Sequence, residues 1–202
     1  MKVIFLDIDG VMNSNIFYEK RYKKRWFKLS TYAWRIKRYF KYVFNGFKHK
    51  PNLLNLSNYT PPNTFEYMFK SLKKETDKEK WVWLSEFCNE HDYKICISSV
   101  WKRHFHNDCE TNLEWWNKAL IELGFKDGIF IGITGDRRTL RGQEIKEFID
   151  SFQNDIEMYA ILDDDSDMLP EQLHTNYFQV DGYFGLSPNH LYRINRYFTK
   201  CG

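Results

Sequence analysis

Two aspartates, Asp7 and Asp9, stand two residues apart directly after the apolar run at residues 3–6, and Gly10 follows them. The apolar run predicts a buried strand, and residues i and i+2 of an extended segment point the same way. The two carboxylates should therefore converge at the carboxyl edge of a sheet, where open α/β folds bind their ligands. Two anions this close require a cation or a shared proton. Mg²⁺ suits the pair because it binds one or two carboxylates together with phosphate and water. The pattern thus indicates phosphoryl transfer.

The stretch FLDIDGVMN at residues 5–13 resembles the first motif of the haloacid dehalogenase (HAD) superfamily of aspartate-nucleophile phosphatases. An apolar strand that runs into DxDG and a further apolar residue is far more specific than DxD alone. The resemblance implies an α/β fold, with a three-layer, Rossmann-like core around a parallel sheet. It also implies that Asp7 is the nucleophile and that Asp9 is the general acid and base. The backbone carbonyl of Asp9 would also face the metal.

Two further segments resemble the motifs that hold the phosphoryl group in this family. ICISS at residues 95–99 is similar to the second motif, a strand that ends in a hydroxyl side chain, here Ser98 with Ser99 beside it. RGQEI, which begins at Arg141, is similar to the third motif at the start of a predicted helix. Many relatives carry lysine at that position, but a guanidinium also supplies positive charge and a bidentate fork for phosphate oxygens.

The segment ILDDDSD at residues 161–167 looks like the fourth, metal-binding motif. The family uses either adjacent aspartates or two that stand a few residues apart. Asp163 with Asp164 and Asp163 with Asp167 therefore both fit, and the sequence leaves the two pairings open. The resemblance implies that Mg²⁺ is bound by Asp7, Asp9 and this acidic cluster.

Together the motifs are similar to those of the small HAD domains found in multidomain RNA-repair proteins and as stand-alone phage or bacterial phosphatases. The resemblance covers residues 3–13 and 95–191, where separated motifs carry it. The coarse pattern alternates strands and helices, as a covered parallel sheet requires. Capping boxes predict helix starts at Thr76 and at Thr111, and Ser187 with Pro188 predicts the start of the last helix.

The span between the first two motifs differs in composition from the rest of the chain. Residues 18–50 hold twelve Lys or Arg residues and one acidic residue, a net charge of +11, whereas the remainder carries −8. Eleven of these thirty-three residues are aromatic. We therefore predict a catalytic core at residues 1–13 and 76–202 and a basic, aromatic, helical cap insertion at residues 14–75.

Three interpretations of the insertion are open. Basic and aromatic side chains together can clamp and stack single-stranded nucleic acid. The packed face of a cap helix would instead explain the helical spacing of Tyr32, Ile36, Tyr39, Phe40, Val43, Phe44 and Phe47. A helix that lies on a membrane surface has a similar composition. The candidate substrate contacts are Lys24, Arg25 and Trp26 in the insertion and Arg103 after the second motif.

The length of 202 residues and a hydrophobic content of 43% suit one domain with an insertion. The four cysteines lack paired spacing, no apolar run has the length of a membrane span, and no leader precedes the first strand, so we expect a cytoplasmic protein. The leading hypothesis is a Mg²⁺-dependent phosphomonoesterase that acts on nucleic-acid ends or nucleotides. The alternatives are a small-metabolite phosphatase with the insertion as a lid, and a nucleic-acid-binding protein with a vestigial site.

Overall fold

A parallel β-sheet of five strands organises the chain. The computed structural model describes residues 1–26, 64–103, 105, 108–135, 140–152 and 156–200. The strands are β1 (Lys2–Leu6), β2 (Lys94–Ile97), β3 (Phe130–Ile133), β4 (Met158–Asp163) and β5 (Tyr177–Gln179). Their order across the sheet is β3-β2-β1-β4-β5, and every neighbouring pair is parallel. The strand that carries Asp7 therefore lies at the centre, with β2 and β4 on either side.

Helices connect the strands, as parallel pairing requires. A short 3₁₀ helix (Val100–Arg103) also follows β2. The described α-helices are α1 (Asn15–Trp26), α2 (Phe65–Glu75), α3 (Lys78–His91), α4 (Cys109–Glu122), α5 (Arg141–Ser151), α6 (Pro170–Thr175) and α7 (Pro188–Lys200). This α/β architecture confirms the predicted fold class.

The two faces of β1 are buried against different helices, because successive side chains of a strand point to opposite faces. Ile4 and Leu6 belong to the larger core, which includes side chains of α2, α3, α4 and α7. Val3 and Phe5 belong to the smaller core on the other face, with Ile145 of α5. All four strand residues are fully buried. This double burial explains why the strand has a continuous apolar sequence and no alternation.

Both predicted capping boxes are wrong, although the helices are present. Thr76 ends α2, and its hydroxyl donates to the carbonyl of Leu72 at 2.7 Å. The N-cap of α3 is Asp77, whose carboxylate accepts a hydrogen bond from the Glu79 amide at 3.1 Å. Asp77, one residue downstream of Thr76, takes the capping role, because its carboxylate also complements the helix dipole.

The same replacement occurs at α4. The helix begins at Cys109, and Asp108 accepts from the Thr111 amide at 2.8 Å, so Thr111 lies inside the first turn. The last helix does begin at Pro188, as predicted. The hydroxyl of Ser187 lies 2.9 Å from Nδ1 of His190.

Parts of the predicted insertion are described by the structure. Helices α1 and α2 lie within residues 14–75, whereas the aromatic stripe between positions 32 and 47 lies outside the described residues. Phe65, Phe69 and Leu72 of α2 are buried in the same core as Leu6. The division of the chain at residues 75 and 76 remains a prediction. Cys88 and Cys96 are buried free thiols and Cys109 is an exposed one.

Candidate active site at the carboxyl edge of the sheet

Asp7 lies immediately beyond β1, at the centre of the carboxyl edge of the sheet. Its amide donates to the carbonyl of Leu162 in β4 at 2.9 Å, which continues the strand pairing by one residue. Only 4% of the residue is exposed. Because both neighbouring strands end at the same level, side chains that follow β2 and β4 meet Asp7 there. The predicted convergence of the motifs at one edge of the sheet therefore occurs.

Arg141, the first residue of α5, points its guanidinium at Asp7. Nη1 donates to Oδ1 of Asp7 at 2.9 Å and also to the carbonyl of Ser98. Nε lies 3.8 Å from Oδ2 of Asp163. The start of α5 is held by Asp167, whose carboxylate and carbonyl accept from the amides of Arg141 and Gly142 at 3.3 and 3.1 Å. The cation is thus positioned between the end of β2, the end of β4 and the proposed nucleophile.

The two serines after β2 differ in their surroundings. Ser98 is buried, and its hydroxyl has no hydrogen-bond partner in the described structure. The hydroxyl of Ser99 accepts from the amides of Ile8 and Trp101 at 3.4 and 3.3 Å. A buried hydroxyl without a partner is costly unless a ligand satisfies it. Ser98 is therefore the serine that suits a bound phosphoryl group, and Ser99 supports the loop that follows Asp7.

Three carboxylates come together above the sheet. Oxygens of Asp7, Asp163 and Asp164 all lie within 4.8 Å of one another, a separation that one cation could bridge. Oδ1 of Asp163 accepts from the Asp165 amide at 2.9 Å, whereas its Oδ2 is buried and lacks a hydrogen-bond partner. Asp167 is instead engaged with the start of α5. Of the two pairings that the sequence left open, the structure gathers Asp163 and Asp164 beside Asp7.

Two glycines make room for Asp164. Gly10 has a φ of +69°, and a Cβ there would lie 2.1 Å from Cγ of Asp164. A Cβ on Gly182, in the loop after β5, would lie 2.5 Å from Oδ2 of the same side chain. The carboxylate is therefore packed between two backbone segments that approach it closely. This contact explains why the turn after Asp9 requires glycine.

Burial changes the acid strength of these groups. Burial raises the pKa of Asp7 to about 6, against the opposing effects of Arg141 and of the Ser99 hydrogen bond. Burial and then repulsion from Asp7 raise the pKa of Asp163 to about 8. Burial is also the main reason why the pKa of Asp164 is raised. Anionic groups that burial disfavours in this way are the ones that a bound cation would stabilise.

Comparison with protein families gives one match. A family model described as the HAD domain in Swiss Army Knife RNA repair proteins matches residues 3–191. The chain belongs to this family. It is accordingly a HAD domain, and the family membership supports hydrolase activity of the phosphatase type. No curated protein and no solved structure shows significant similarity to the chain.

Asp9 of this HAD domain is exposed, and its carboxylate accepts hydrogen bonds from two side chains. Nε1 of Trp101 and Nδ2 of Asn13 both donate to Oδ1 of Asp9, at 2.9 and 2.8 Å. Oδ1 of Asn13 in turn accepts from the Gly10 amide at 2.9 Å. The orientation of the carboxyl group is therefore fixed, with Oδ1 occupied and Oδ2 available. Trp101 has no local signal in the sequence, because it lies two residues beyond the second motif, and Asn13 ends the stretch that resembles the first motif without an assigned role there.

A buried ion pair also supports the site of the HAD domain. Nζ of Lys102 lies 2.5 Å from Oε2 of Glu144, and both side chains are less than a tenth exposed. Nζ also donates to the hydroxyl of Thr134 at 3.4 Å and to the carbonyl of Gly135. The pair connects the 3₁₀ helix after β2 with α5, which carries Arg141. No local sequence pattern indicates this pair, because the two residues stand 42 positions apart.

The candidate substrate contacts of the HAD domain remain predictions. Lys24, Arg25 and Trp26 occupy the last turn of α1, and Arg103 ends the 3₁₀ helix. The positions of their side chains lie outside what the structure describes. Within the described parts of the chain, no helix is both long and apolar enough to cross a membrane.

Proposed function

We propose that this HAD domain is a Mg²⁺-dependent phosphomonoesterase that uses Asp7 as nucleophile and removes a terminal phosphate from nucleic acid. The observation that carries the proposal is the contact between Asp7 and Arg141 beside the unsatisfied hydroxyl of Ser98. A carboxylate nucleophile, a cation and a hydroxyl donor converge there on a small buried volume. These are the groups that in-line phosphoryl transfer requires for positioning and charge stabilisation.

Asp7 and Asp9 would divide the chemistry between them. An oxygen of Asp7 attacks phosphorus, and the bond from phosphorus to the leaving oxygen breaks to give an aspartyl phosphate and an alcohol. Asp9 protonates the leaving oxygen, which departs as the alcohol, and Asp9 then takes a proton from the water that hydrolyses the intermediate, which releases inorganic phosphate. Because Oδ1 of Asp9 already accepts two hydrogen bonds, Oδ2 is the oxygen that would carry the proton.

The phosphoryl oxygens would be bound by Arg141 and Ser98. Arg141 contacts Asp7 through Nη1, so its fork lies beside the attacking oxygen, where charge develops on the phosphoryl group. The buried Ser98 hydroxyl would gain its missing partner from a phosphoryl oxygen. Both groups are held by the backbone of the sheet edge, so little reorganisation is needed during the reaction.

The residues present fit a divalent cation. Asp7, Asp163 and Asp164 would hold it, and among the described residues the buried Oδ2 of Asp163 accepts no hydrogen bond and lies 3.8 Å from Nε of Arg141. An all-oxygen set of this kind suits Mg²⁺, which prefers carboxylates, phosphate and water. When bound, the cation would screen the negative charge of the nucleophile from that of the phosphate. The contribution of the Asp9 backbone carbonyl remains part of this proposal.

Two observations favour a nucleic-acid substrate over a small metabolite. The matching family is described as the HAD domain in Swiss Army Knife RNA repair proteins, and we infer from this description that the substrate is a phosphate at a nucleic-acid end. The segment at residues 18–50 carries a net charge of +11 with eleven aromatic residues, a composition suited to a polyanion with exposed bases. We also propose a cytoplasmic location on the basis of the unpaired cysteines.

The experiment is phosphate release with and without Mg²⁺ from 3′- and 5′-phosphorylated oligonucleotides, mononucleotides and sugar phosphates. Asp7→Asn should lower kcat on the order of 10³-fold or more, because it removes the nucleophile. Asp165→Asn is the matched control, since Asp165 is an exposed neighbour outside the carboxylate group. Equal activity of Asp7→Asn and the wild type would contradict the nucleophile assignment, and a preference for sugar phosphates would contradict the substrate class.

A further inference from the structure

Two large aromatic side chains are exposed in the loop between β5 and α7. Tyr183 is 41% exposed and Phe184 is 60% exposed. Their rings pack edge to face, with 5.0 Å between the centroids. Large aromatic rings gain most from burial, so an exposed pair in contact is a candidate for binding a partner.

The backbone beneath this pair is fixed. The amides of Tyr183 and Phe184 donate to the side chain and carbonyl of Asp181, at 2.8 and 3.0 Å. The carbonyl of Tyr183 accepts from the Ile16 amide at 3.0 Å, and that of Phe184 accepts from Nζ of the buried Lys80 at 3.0 Å. A ligand would therefore meet two rings on an ordered loop, which reduces the entropy lost on binding.

The loop connects the active site to the basic helix α1. Gly182, directly before the pair, approaches the carboxylate of Asp164 so closely that a Cβ would lie 2.5 Å from it. On the other side, the amide of Asn15 at the start of α1 donates to the Gly182 carbonyl at 3.1 Å. Further along α1, the guanidinium of Arg21 lies 5.7 Å from the ring centroid of Phe17. The aromatic pair thus directly follows a residue that approaches Asp164, and its backbone contacts the start of a helix whose sequence is strongly basic.

We propose that Tyr183 and Phe184 form a stacking platform for the nucleobase adjacent to the terminal phosphate of a single-stranded oligonucleotide. The backbone phosphates of the following nucleotides would lie along α1. This inference rests on the proposed function and specifies how that site recognises its substrate. Aromatic rings beside a cationic track are the combination that binds single strands, because every base presents a π-face and every linkage a negative charge.

The platform is tested by comparing two single-stranded oligoribonucleotides with the same terminal phosphate, one with a normal terminal nucleoside and one with an abasic terminal residue. In the wild type, loss of the base should raise KM on the order of tenfold. In Phe184→Ala and Tyr183→Ala, the ratio of the two KM values should fall towards one, because the group that recognises the base is gone. Phe184→Leu, which keeps an apolar side chain but loses the ring, should also lower the ratio.

Tyr192→Ala is the matched control. Tyr192 is 60% exposed, like Phe184, and has the guanidinium of Arg196 5.8 Å from its ring centroid, but it lies on α7 outside the loop. Its replacement should leave the KM ratio at the wild-type value. Because the ratio compares two substrates on one preparation, partial misfolding of a variant does not change it.

The possible failures can be told apart. If the wild type hydrolyses both oligonucleotides with equal KM, or if the ratio is unchanged in Phe184→Ala and Tyr183→Ala, the platform is wrong while the proposed function stands. If the wild type releases phosphate from glycerol phosphate but from no oligonucleotide, both the substrate class and the platform are wrong.

Discussion

The buried pair of Lys102 and Glu144 should be a main determinant of stability. Removal of one partner from a buried ion pair leaves an uncompensated charge, at a typical cost of about 3–5 kcal/mol. With both side chains less than a tenth exposed, we expect Lys102→Met and Glu144→Leu each to destabilise by about that amount. Since a domain is stable by about 5–15 kcal/mol in total, either change should lower Tm by on the order of 10 °C.

The double variant Lys102→Met/Glu144→Leu should be more stable than the sum of the single changes predicts, because no charge is left buried. It should still cost about 1–3 kcal/mol, since Thr134 and the carbonyl of Gly135 lose their donor. A recovery of at least about 2 kcal/mol relative to the summed single effects would demonstrate the coupling.

The assay is urea denaturation of the four proteins in a double-mutant cycle. The matched control is Lys146→Met, because Lys146 lies on α5 like Glu144 and its Nζ lies 2.5 Å from Oδ2 of Asp150. The side chains of Lys146 and Asp150 are, however, at least half exposed. An exposed pair of this kind contributes little to stability, because water and salt screen its charges. Additive single effects for Lys102 and Glu144, or losses no larger than that of Lys146→Met, would refute the reasoning.

Three further predictions concern the active site. Trp101→Phe removes one hydrogen-bond donor to Asp9, so kcat for an alkyl phosphate, whose leaving group needs a proton, should fall about fivefold to tenfold. The kcat for p-nitrophenyl phosphate, whose leaving group needs no proton, should fall much less. An equal loss of kcat on both substrates would contradict a role of Trp101 in orienting the acid. Gly10→Ala should abolish the increase in Tm that Mg²⁺ is expected to cause, because the added Cβ would occupy the space of the Asp164 carboxylate. An increase in Tm equal to that of the wild type would show that the turn adapts to the added Cβ. The pKa values of Asp7 and Asp163 are raised to about 6 and about 8, so the folded state binds more protons than the unfolded state between about pH 4 and pH 8. The stability of the metal-free protein should therefore fall as pH rises through that window in chemical denaturation, and Mg²⁺ should reduce the slope.

The strands and the meeting of the motifs could be predicted from the sequence. Strand β1 is buried on both faces, so it appears as an uninterrupted apolar run, and Asp7 at its end marks the carboxyl edge. Because all strands are parallel, the side chains after β2 and β4 reach that same edge. Ser98 and Asp163 were placed by this rule of topology, which needs no detail of packing.

Other features depend on packing contacts that no local sequence pattern indicates. The helix starts were misplaced because Thr76 serves the end of one helix while Asp77 caps the next. Asp164, and not Asp167, lies beside Asp7 and Asp163, and it is packed there against Gly182, a residue in the loop after β5. In both cases several residues satisfied the same sequence rule, and contacts that the rule does not include distinguish them.

The charges of the site explain why these contacts matter together. When ionised, Asp7, Asp163 and Asp164 carry three negative charges, and the only cationic group that contacts them in the described structure is Arg141. The excess of two negative charges would repel a phosphate monoester from the nucleophile, and burial strengthens that repulsion. One divalent cation removes the excess, so the site should accept an anionic substrate only in the loaded form. In the proposed mechanism, the glycine packing that holds Asp164 in the group would therefore determine both whether the cation binds and whether the substrate can approach Asp7.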